Sequence, residues 1–215
     1  MFIVIEGPDQ VGKTEQARRL VEWLGSLGRQ VGSYSFPSRG TLTGRIARAW
    51  LGDRSMNCKA GSDAAVIFQC VQLVDKYAAV PAINRSLRAG HDVVCCRWWQ
   101  SAYAYGLDEG LPREWLNDTC GLLPRANLNL LINLGPSTAR VRGFLPDNLD
   151  PPTKILDKYD CDTGKQERVR QTYLEMWNVD QPRTWERWEV VDGSGTPEEV
   201  HERVKMQVPH IMEGR

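Results

Sequence analysis

The most constraining feature of this sequence is a glycine-rich octapeptide between an apolar run and an amphipathic segment. Residues 7–14 read Gly-Pro-Asp-Gln-Val-Gly-Lys-Thr and satisfy the pattern G-x-x-x-x-G-K-[ST] in full. In this pattern the glycines let the backbone curl, so that successive N–H groups point at phosphate oxygens. The positive N-terminal end of a following helix faces the same anion. The octapeptide therefore predicts a phosphate-binding loop between a buried strand and a helix.

Two side chains at the end of this loop suit a nucleoside triphosphate bound to magnesium. Lys13 supplies a positive charge for the β- and γ-phosphates, and the Thr14 hydroxyl is a ligand for Mg²⁺. ATP and Mg²⁺ are therefore the predicted cofactors. The predicted ATP-binding residues are Gly7, Pro8, Asp9, Gln10, Val11, Gly12, Lys13 and Thr14.

Around the loop, short apolar runs alternate with longer segments of helical periodicity. The predicted strands are residues 2–6, 31–36, 92–96, 128–134 and 188–191. The predicted helices follow the phosphate loop, Pro136 and Thr196, and cover residues 41–51, 63–87, 99–105, 112–120 and 166–177. Strands that alternate with helices predict an α/β fold, with a five-stranded parallel sheet and helices on both faces.

Two segments carry residues that interrupt regular structure. Pro81 lies inside the long helical stretch and should kink it or split it in two. Residues 143–153 hold three prolines, a glycine and two aspartates, which predicts a loop. We therefore expect residues 1–215 to form a single domain with a mobile lid near residues 143–160.

Composition gives no sign of a nucleic-acid or membrane partner. The chain carries 27 basic and 27 acidic side chains, so its formal net charge is zero. The apolar run at residues 2–5 stops at Glu6 and has no basic leader, and we find no apolar stretch of the ~20 residues that a membrane span needs. The six cysteines are scattered and show no CxxC or Cys/His spacing. We expect reduced thiols in a cytoplasmic protein.

Further segments extend the pattern that begins with residues 2–14; they are residues 36–44, 75–77, 93–105, 157–160 and 190–193. Together these segments resemble the thymidylate kinase family of P-loop nucleoside monophosphate kinases. The resemblance covers nearly the whole chain in the right order. It implies transfer of the γ-phosphoryl group of ATP to dTMP, which gives dTDP, and it also implies a homodimer through the long helices.

The resemblance also implies roles for individual side chains. Asp9 would contact the 3′-hydroxyl of the acceptor nucleotide and lie near the metal. Arg39 and Arg97 would bind its 5′-phosphate, and Phe36 would form a wall of the nucleoside pocket. The implied catalytic residues are Asp9, Lys13 and Arg97. The implied acceptor-binding residues are Asp9, Phe36, Arg39, Gln72, Lys76, Arg97, Ser101, Tyr105 and Tyr159. The lid cations are Arg142, Lys154 and Lys158, with Arg140 and Lys165 nearby, and one or two of these five should reach the transferred phosphate.

Three positions depart from the family pattern. Cys96 replaces an aspartate near the metal, and a neutral thiol is a poor ligand for a hard cation. Lys76 replaces the arginine that reads the base, and Gln72 replaces a stacking aromatic ring that Phe68 could supply instead. Gln10 leaves the phosphate loop without an arginine, so a lid cation would have to take that role.

These departures leave other functions open. A kinase of the same fold for another or a modified deoxynucleoside monophosphate would fit Gln72 and Lys76, because a glutamine amide both donates and accepts. A deoxynucleoside kinase is a variant that would not need Arg39 and Arg97 aimed at a phosphate. A catalytically weak nucleotide-binding module that acts through a partner would fit Cys96.

Overall fold

A computed structural model of the protein describes residues 1–53, 62–143, 162–180 and 186–208. The strands are β1 (Phe2–Glu6), β2 (Val31–Ser35), β3 (Asp92–Cys96), β4 (Leu128–Asn133) and β5 (Arg187–Asp192). The helices are α1 (Lys13–Ser26), α2 (Leu42–Gly52), α3 (Asp63–Arg88), α4 (Trp99–Asp108), α5 (Arg113–Gly121), α6 (Pro136–Gly143), α7 (Thr163–Asp180) and α8 (Pro197–Gln207).

The strands form one parallel sheet in the order β2-β3-β1-β4-β5, which confirms the predicted fold class. Every residue of β1 and β3 is buried, as expected for strands that are covered on both faces. Along β1, Phe2 and Val4 join one apolar core, while Ile3 and Ile5 join the other. The helices therefore cover both faces of the sheet.

The sheet places the loops after β1 and β3 side by side. Ile5 pairs with Cys96 in register, so both strands end at the same edge. In open parallel sheets ligands bind at the carboxyl ends of the strands. Gly7 occupies the exit from β1 at a φ of 141°, and a β-carbon there would lie 2.5 Å from the Ile132 carbonyl oxygen. Only glycine fits this tight exit into the loop.

Of the two effects expected of Pro81, a kink or a split, the split does not occur, since α3 runs without a break from Asp63 to Arg88. Phe68 and Ile83, on either side of the proline, are both fully buried. Pro81 itself lies on the exposed face, where water can satisfy the carbonyl that loses its partner. Packing of the buried face therefore outweighs the local cost of the proline.

Helix α3 is also the one described helix that is long and apolar enough to cross a membrane by length and composition. It carries Asp75 and Lys76 in its centre, and both side chains are buried within the fold. Core helices of soluble proteins pass the same criterion. The other predicted elements are confirmed with small shifts of their ends, and α8 begins with a capping box formed by Thr196 and Glu199.

A buried carboxylate anchors the start of β3. The Asp92 side chain is fully buried, and its Oδ1 atom accepts hydrogen bonds from Arg29 Nη2 at 2.8 Å and from the α-amino group of Met1 at 2.9 Å. Burial would raise the pKa of Asp92, but the hydrogen bonds from these two cations outweigh it and lower that pKa. The charged form of Asp92 therefore stabilises the folded state.

We expect Asp92→Asn to lower the free energy of unfolding near pH 7 by about 2 kcal/mol, because it removes a buried, charge-assisted pair. Since the folded pKa lies below the unfolded value, this contribution is present above about pH 4 and is lost as the pH falls through the folded pKa. Denaturant unfolding between pH 7 and pH 3 measures the difference. Glu189→Gln, at a partly exposed pair with Arg187, is the control and should change little. A difference for Asp92→Asn that does not vary with pH would contradict this account.

Candidate active site

The loop between β1 and α1 has the backbone of an anion-binding site. Gly7, Gln10 and Gly12 have positive φ angles of 141°, 65° and 94°. Alternation of such residues with ordinary ones turns successive N–H groups toward one side of the loop. Gly12 is also the N-cap of α1 and makes no side-chain capping bond, so the first turn of α1 stays available to an anion.

Lys13 is a buried cation at the base of this loop. Its side chain contacts the Pro8 carbonyl oxygen, and the residue is only 5% exposed. Burial, together with the charge of Arg97, lowers the pKa of Lys13 to about 8, although Asp9 opposes this shift. Within the described ranges no carboxylate forms a salt bridge with Lys13. The loop and Lys13 therefore fit the phosphates of a nucleotide, which would supply the missing negative charge.

Asp9 joins the loop to the turn after β3. Its carboxylate forms an ion pair with Arg97 and accepts hydrogen bonds from the Tyr105 hydroxyl at 2.6 Å and from Gln166 Nε2 at 2.9 Å. Burial would raise the pKa of Asp9, but the charges of Arg97 and Lys13 outweigh it and hold that pKa at about 2. Asp9 is therefore ionised throughout the neutral range, with donors on both oxygens.

Arg97 depends on a second carboxylate, Glu6, at the end of β1. Arg97 has a φ of 67°, which is unusual for a side chain other than glycine. The fully buried Glu6 accepts hydrogen bonds from the next backbone N–H, at Trp98 (2.6 Å), from the Ser101 hydroxyl (2.7 Å) and from the Tyr173 hydroxyl (2.9 Å). Glu6 thus fixes the turn that aims Arg97. The Ser101 hydroxyl, which we expected to contact the acceptor nucleotide, donates its hydrogen bond to Glu6 in this structure.

A third arginine, Arg48 on α2, lies near Arg39 and Arg97. Burial and the charges of these two arginines lower the pKa of Arg48. Its Nη2 donates to the Pro37 carbonyl, while its buried Nε has no partner in the described parts of the chain. Asp75 holds the loop between β2 and α2 in place, because it accepts hydrogen bonds from Ser38 N (2.7 Å) and from Thr43 Oγ1 (3.0 Å) at the start of α2. The three guanidinium groups together form a second cationic site.

Sequence reasoning missed Arg48, although one signal was present. The residue follows Gly44 and Ala47, the two buried positions of α2, so it is a charge at the edge of an otherwise buried helical face. Glu6 and Gln166 were missed as well. Their partners are distant in sequence, and no local pattern marks them.

The residues expected to read the base lie on α3 beside Phe36. Lys76 is fully buried, with its Nζ 5.6 Å from the centre of the Phe36 ring and 3.4 Å from the Gln72 carbonyl oxygen, to which it donates. Burial lowers the pKa of Lys76 to about 8, and Glu6 opposes the shift. Phe68 packs inside the core against Trp50, with ring centres 5.8 Å apart, and does not replace the missing stacking ring.

The expected magnesium site offers few protein oxygens. The Thr14 hydroxyl lies 4.0 Å from the Cys96 sulfur, and burial raises the pKa of that thiol, which is therefore neutral. Among the described residues, no cluster of three or more His, Cys, Asp or Glu side chains could hold a metal. Magnesium commonly keeps several waters and binds substrate phosphates. The site therefore fits Mg²⁺ held by the nucleotide and by Thr14.

Comparison with known proteins agrees with this geometry. A family model described as thymidylate kinase matches residues 5–204. The chain belongs to the thymidylate kinase family. A probable thymidylate kinase of Pyrococcus abyssi is 28% identical over 217 residues, which cover 99% of this chain and 98% of the relative. The thymidylate kinase of Homo sapiens is 27% identical over 206 residues, which cover 95% and 88%. A probable thymidylate kinase of Thermococcus kodakarensis is 30% identical over 186 residues, which cover 82% and 83%.

As a thymidylate kinase family member, the chain is a nucleoside monophosphate kinase, and the resemblance seen in the sequence is confirmed. The structure brings Asp9, Lys13, Arg97 and Tyr105 together at one edge of the sheet. The predicted lid, with Lys154, Lys158 and Tyr159, lies outside the described residues, as does the side chain of Arg142. Lys165 forms ion pairs with Asp108 at 2.9 Å and with Glu109 at 3.6 Å, and so has carboxylate partners of its own.

Proposed function

We propose that this chain transfers the γ-phosphoryl group of ATP to the 5′-phosphate of dTMP, which gives dTDP. The observation that carries the proposal is the pairing of two cationic sites at the carboxyl edge of the sheet. One is the phosphate loop with Lys13, and the other is the group Arg39, Arg48 and Arg97. Two phosphates bound there would face each other, as in-line phosphoryl transfer requires. Relatives named thymidylate kinase cover nearly the whole chain.

The protein contributes position and charge to this reaction. The N–H groups of the loop and Lys13 hold the β- and γ-phosphates of ATP, and the arginines hold the acceptor phosphate whose oxygen attacks. Asp9, held by Arg97 and Tyr105, orients the 3′-hydroxyl of the acceptor. Thr14 would hold Mg²⁺ together with the ATP phosphates, and the ion would neutralise part of the phosphate charge.

Lys76 supports a preference for keto bases. An ammonium group donates hydrogen bonds and has no acceptor, so it suits the O4 of thymine or uracil and the O6 of guanine. The amino groups of cytosine and adenine offer it no partner. Phe36 lies beside the ammonium and provides an apolar wall.

The proposal predicts turnover of dTMP with ATP and Mg²⁺ at least about tenfold faster than turnover of dCMP or dAMP, because an unpaired buried donor costs binding energy. Thymidine should not react, since it lacks the phosphate that the arginines would hold. Coupled ATP-consumption assays with dTMP, dUMP, dGMP, dAMP, dCMP and thymidine measure this. A preference for another monophosphate would favour a different or modified acceptor. ATP binding without turnover of any acceptor would favour a nucleotide-binding module.

We further propose that Arg48 binds the acceptor phosphate. Arg48→Met should raise the KM for dTMP about tenfold and leave the KM for ATP nearly unchanged, because it removes one charge-assisted donor from the acceptor side alone. Steady-state kinetics with each substrate varied in turn measure the split. Arg45→Met, at an exposed position on the same helix, is the matched control. An equal rise of both KM values would contradict this assignment.

Cys96 predicts a weak magnesium site. Cys96→Asp should lower the Mg²⁺ concentration needed for half-maximal binding of ATP, because it places a carboxylate oxygen beside Thr14. Titration of the protein and ATP with Mg²⁺, followed by calorimetry, measures this without turnover. Asn117→Asp adds the same charge at an exposed position of α5 and should have no effect. An unchanged magnesium requirement in Cys96→Asp would show that this position does not act on the metal.

We also propose a cytoplasmic homodimer. Helix α3 exposes an apolar stripe that includes Ile67 and Val74, each 51% exposed, and α2 adds Leu42 and Ile46 beside it. Burial of such a stripe against a second copy would remove apolar surface from water. Light scattering gives the mass in solution, which should be twice that of one chain and should fall for Val74→Glu. The zero net charge agrees with a protein that binds neither nucleic acid nor membranes.

A further inference from the structure

Gln166, in the first turn of α7, contacts the phosphate loop although 157 residues separate it from Asp9. The side chain is 4% exposed. Its Oε1 accepts the backbone N–H of Asp9 at 2.7 Å, and its Nε2 donates to the Asp9 carboxylate at 2.9 Å. One amide therefore fixes both the backbone and the side chain of a single residue in the loop.

The orientation of this amide is set by its partners. The N–H of Asp9 must meet an oxygen, and the ionised carboxylate must meet a donor, so Gln166 cannot be turned over without two unfavourable contacts. The Tyr105 hydroxyl lies 2.6 Å from the Asp9 carboxylate and 3.2 Å from Gln166 Oε1. Tyr105 is therefore the third side chain, with Arg97 and Gln166, that contacts the Asp9 carboxylate.

Charges on neighbouring elements favour a neutral residue at this position. Helix α7 is held on α4 by the ion pair of Lys165 with Asp108 and by that of Arg168 with Asp108. The charged and titratable groups of the described elements around Gln166 include Glu6, Asp9, Lys13, Arg97, Tyr105, Asp108, Glu109, Arg140, Asp162, Lys165, Glu167, Arg168, Arg170 and Tyr173. A second carboxylate at position 166 would lie directly against Asp9, and Arg97 could not neutralise both.

We propose that Gln166 is a positioning residue for phosphoryl transfer, which acts by holding Asp9 in place from helix α7. Through Asp9 it also sets the position of Arg97, because these two side chains form an ion pair. The inference rests on the proposed function, since Asp9 and Arg97 are assigned there to the acceptor. It assigns a role to a residue that lies outside the phosphate loop and acts on it through Asp9.

Gln166→Glu and Gln166→Leu test the proposal through their pH dependence. In Gln166→Glu, two carboxylates face each other at pH 8, and kcat/KM for dTMP should fall at least about tenfold relative to the unchanged protein. As the pH falls toward 5.5, the pair takes up a shared proton, which restores a donor between the two groups. The ratio of the variant to the unchanged protein should then recover. Gln166→Leu lacks any donor, so its loss should be the same at every pH.

Gln171→Glu is the matched control, because Gln171 is exposed on the same helix and its side chain donates to Glu167 at 2.7 Å, away from Asp9. Its activity ratio should stay near one at each pH. Melting temperatures at both pH values show whether each variant is folded. If Gln166→Leu does not fold, the pH dependence of Gln166→Glu still decides the question.

Two outcomes would overturn the proposal: a ratio for Gln166→Glu that does not change with pH, or activities of both Gln166 variants within twofold of the unchanged protein. Failure of the proposed function is distinguishable, because the unchanged protein would then fail to turn over dTMP. In that case the variants and the unchanged protein are compared through the dissociation constant of ATP at pH 5.5 and at pH 8. The fluorescence of the eight tryptophans measures this constant.

Discussion

The ion pair between Asp9 and Arg97 is the interaction on which the geometry of the site depends. Asp9 lies in the phosphate loop and Arg97 follows β3, so one contact joins the two cationic sites. The contact requires Arg97 to adopt a backbone conformation that most residues avoid, and Glu6 holds the adjacent N–H in place. Tyr105 and Gln166 complete the partners of Asp9. Parallel pairing of β1 with β3 brings these groups together, and the two carboxylates keep them there.

The sheet could be predicted from the sequence because its inner strands are buried on both faces and read as continuous apolar runs. The ends of helices were predictable where a capping residue marks them, as Thr196 does for α8. The effect of Pro81 was not predictable in this way. Its local cost was visible, whereas the burial of Phe68 and Ile83 that offsets it depends on tertiary packing.

The candidate site likewise contains residues that local sequence could predict and residues that depend on tertiary contacts. The phosphate loop is contiguous, so its residues could be recognised together, while Arg39 and Arg97 required a resemblance to a family. Glu6 and Gln166 could not be found, because their partners lie 92 and 157 residues away. The departure at Cys96 was visible in the sequence, but its consequence was not. Only the alternation of side chains along β3 shows that Cys96 faces Thr14, while Cys95 enters the opposite core.

The charges around the site indicate what the fold leaves for a ligand to complete. The positive charges there outnumber the carboxylates, since Lys13, Arg39, Arg48, Lys76 and Arg97 lie near Glu6, Asp9 and Asp75. Burial holds the pKa of both lysines at about 8, which means that their charged forms are destabilised in the folded protein. Unfolding relieves this cost, so these lysines reduce stability at neutral pH. A bound phosphate would relieve it at Lys13 without unfolding. The position of Lys13 is therefore explained by anion binding rather than by the stability of the fold.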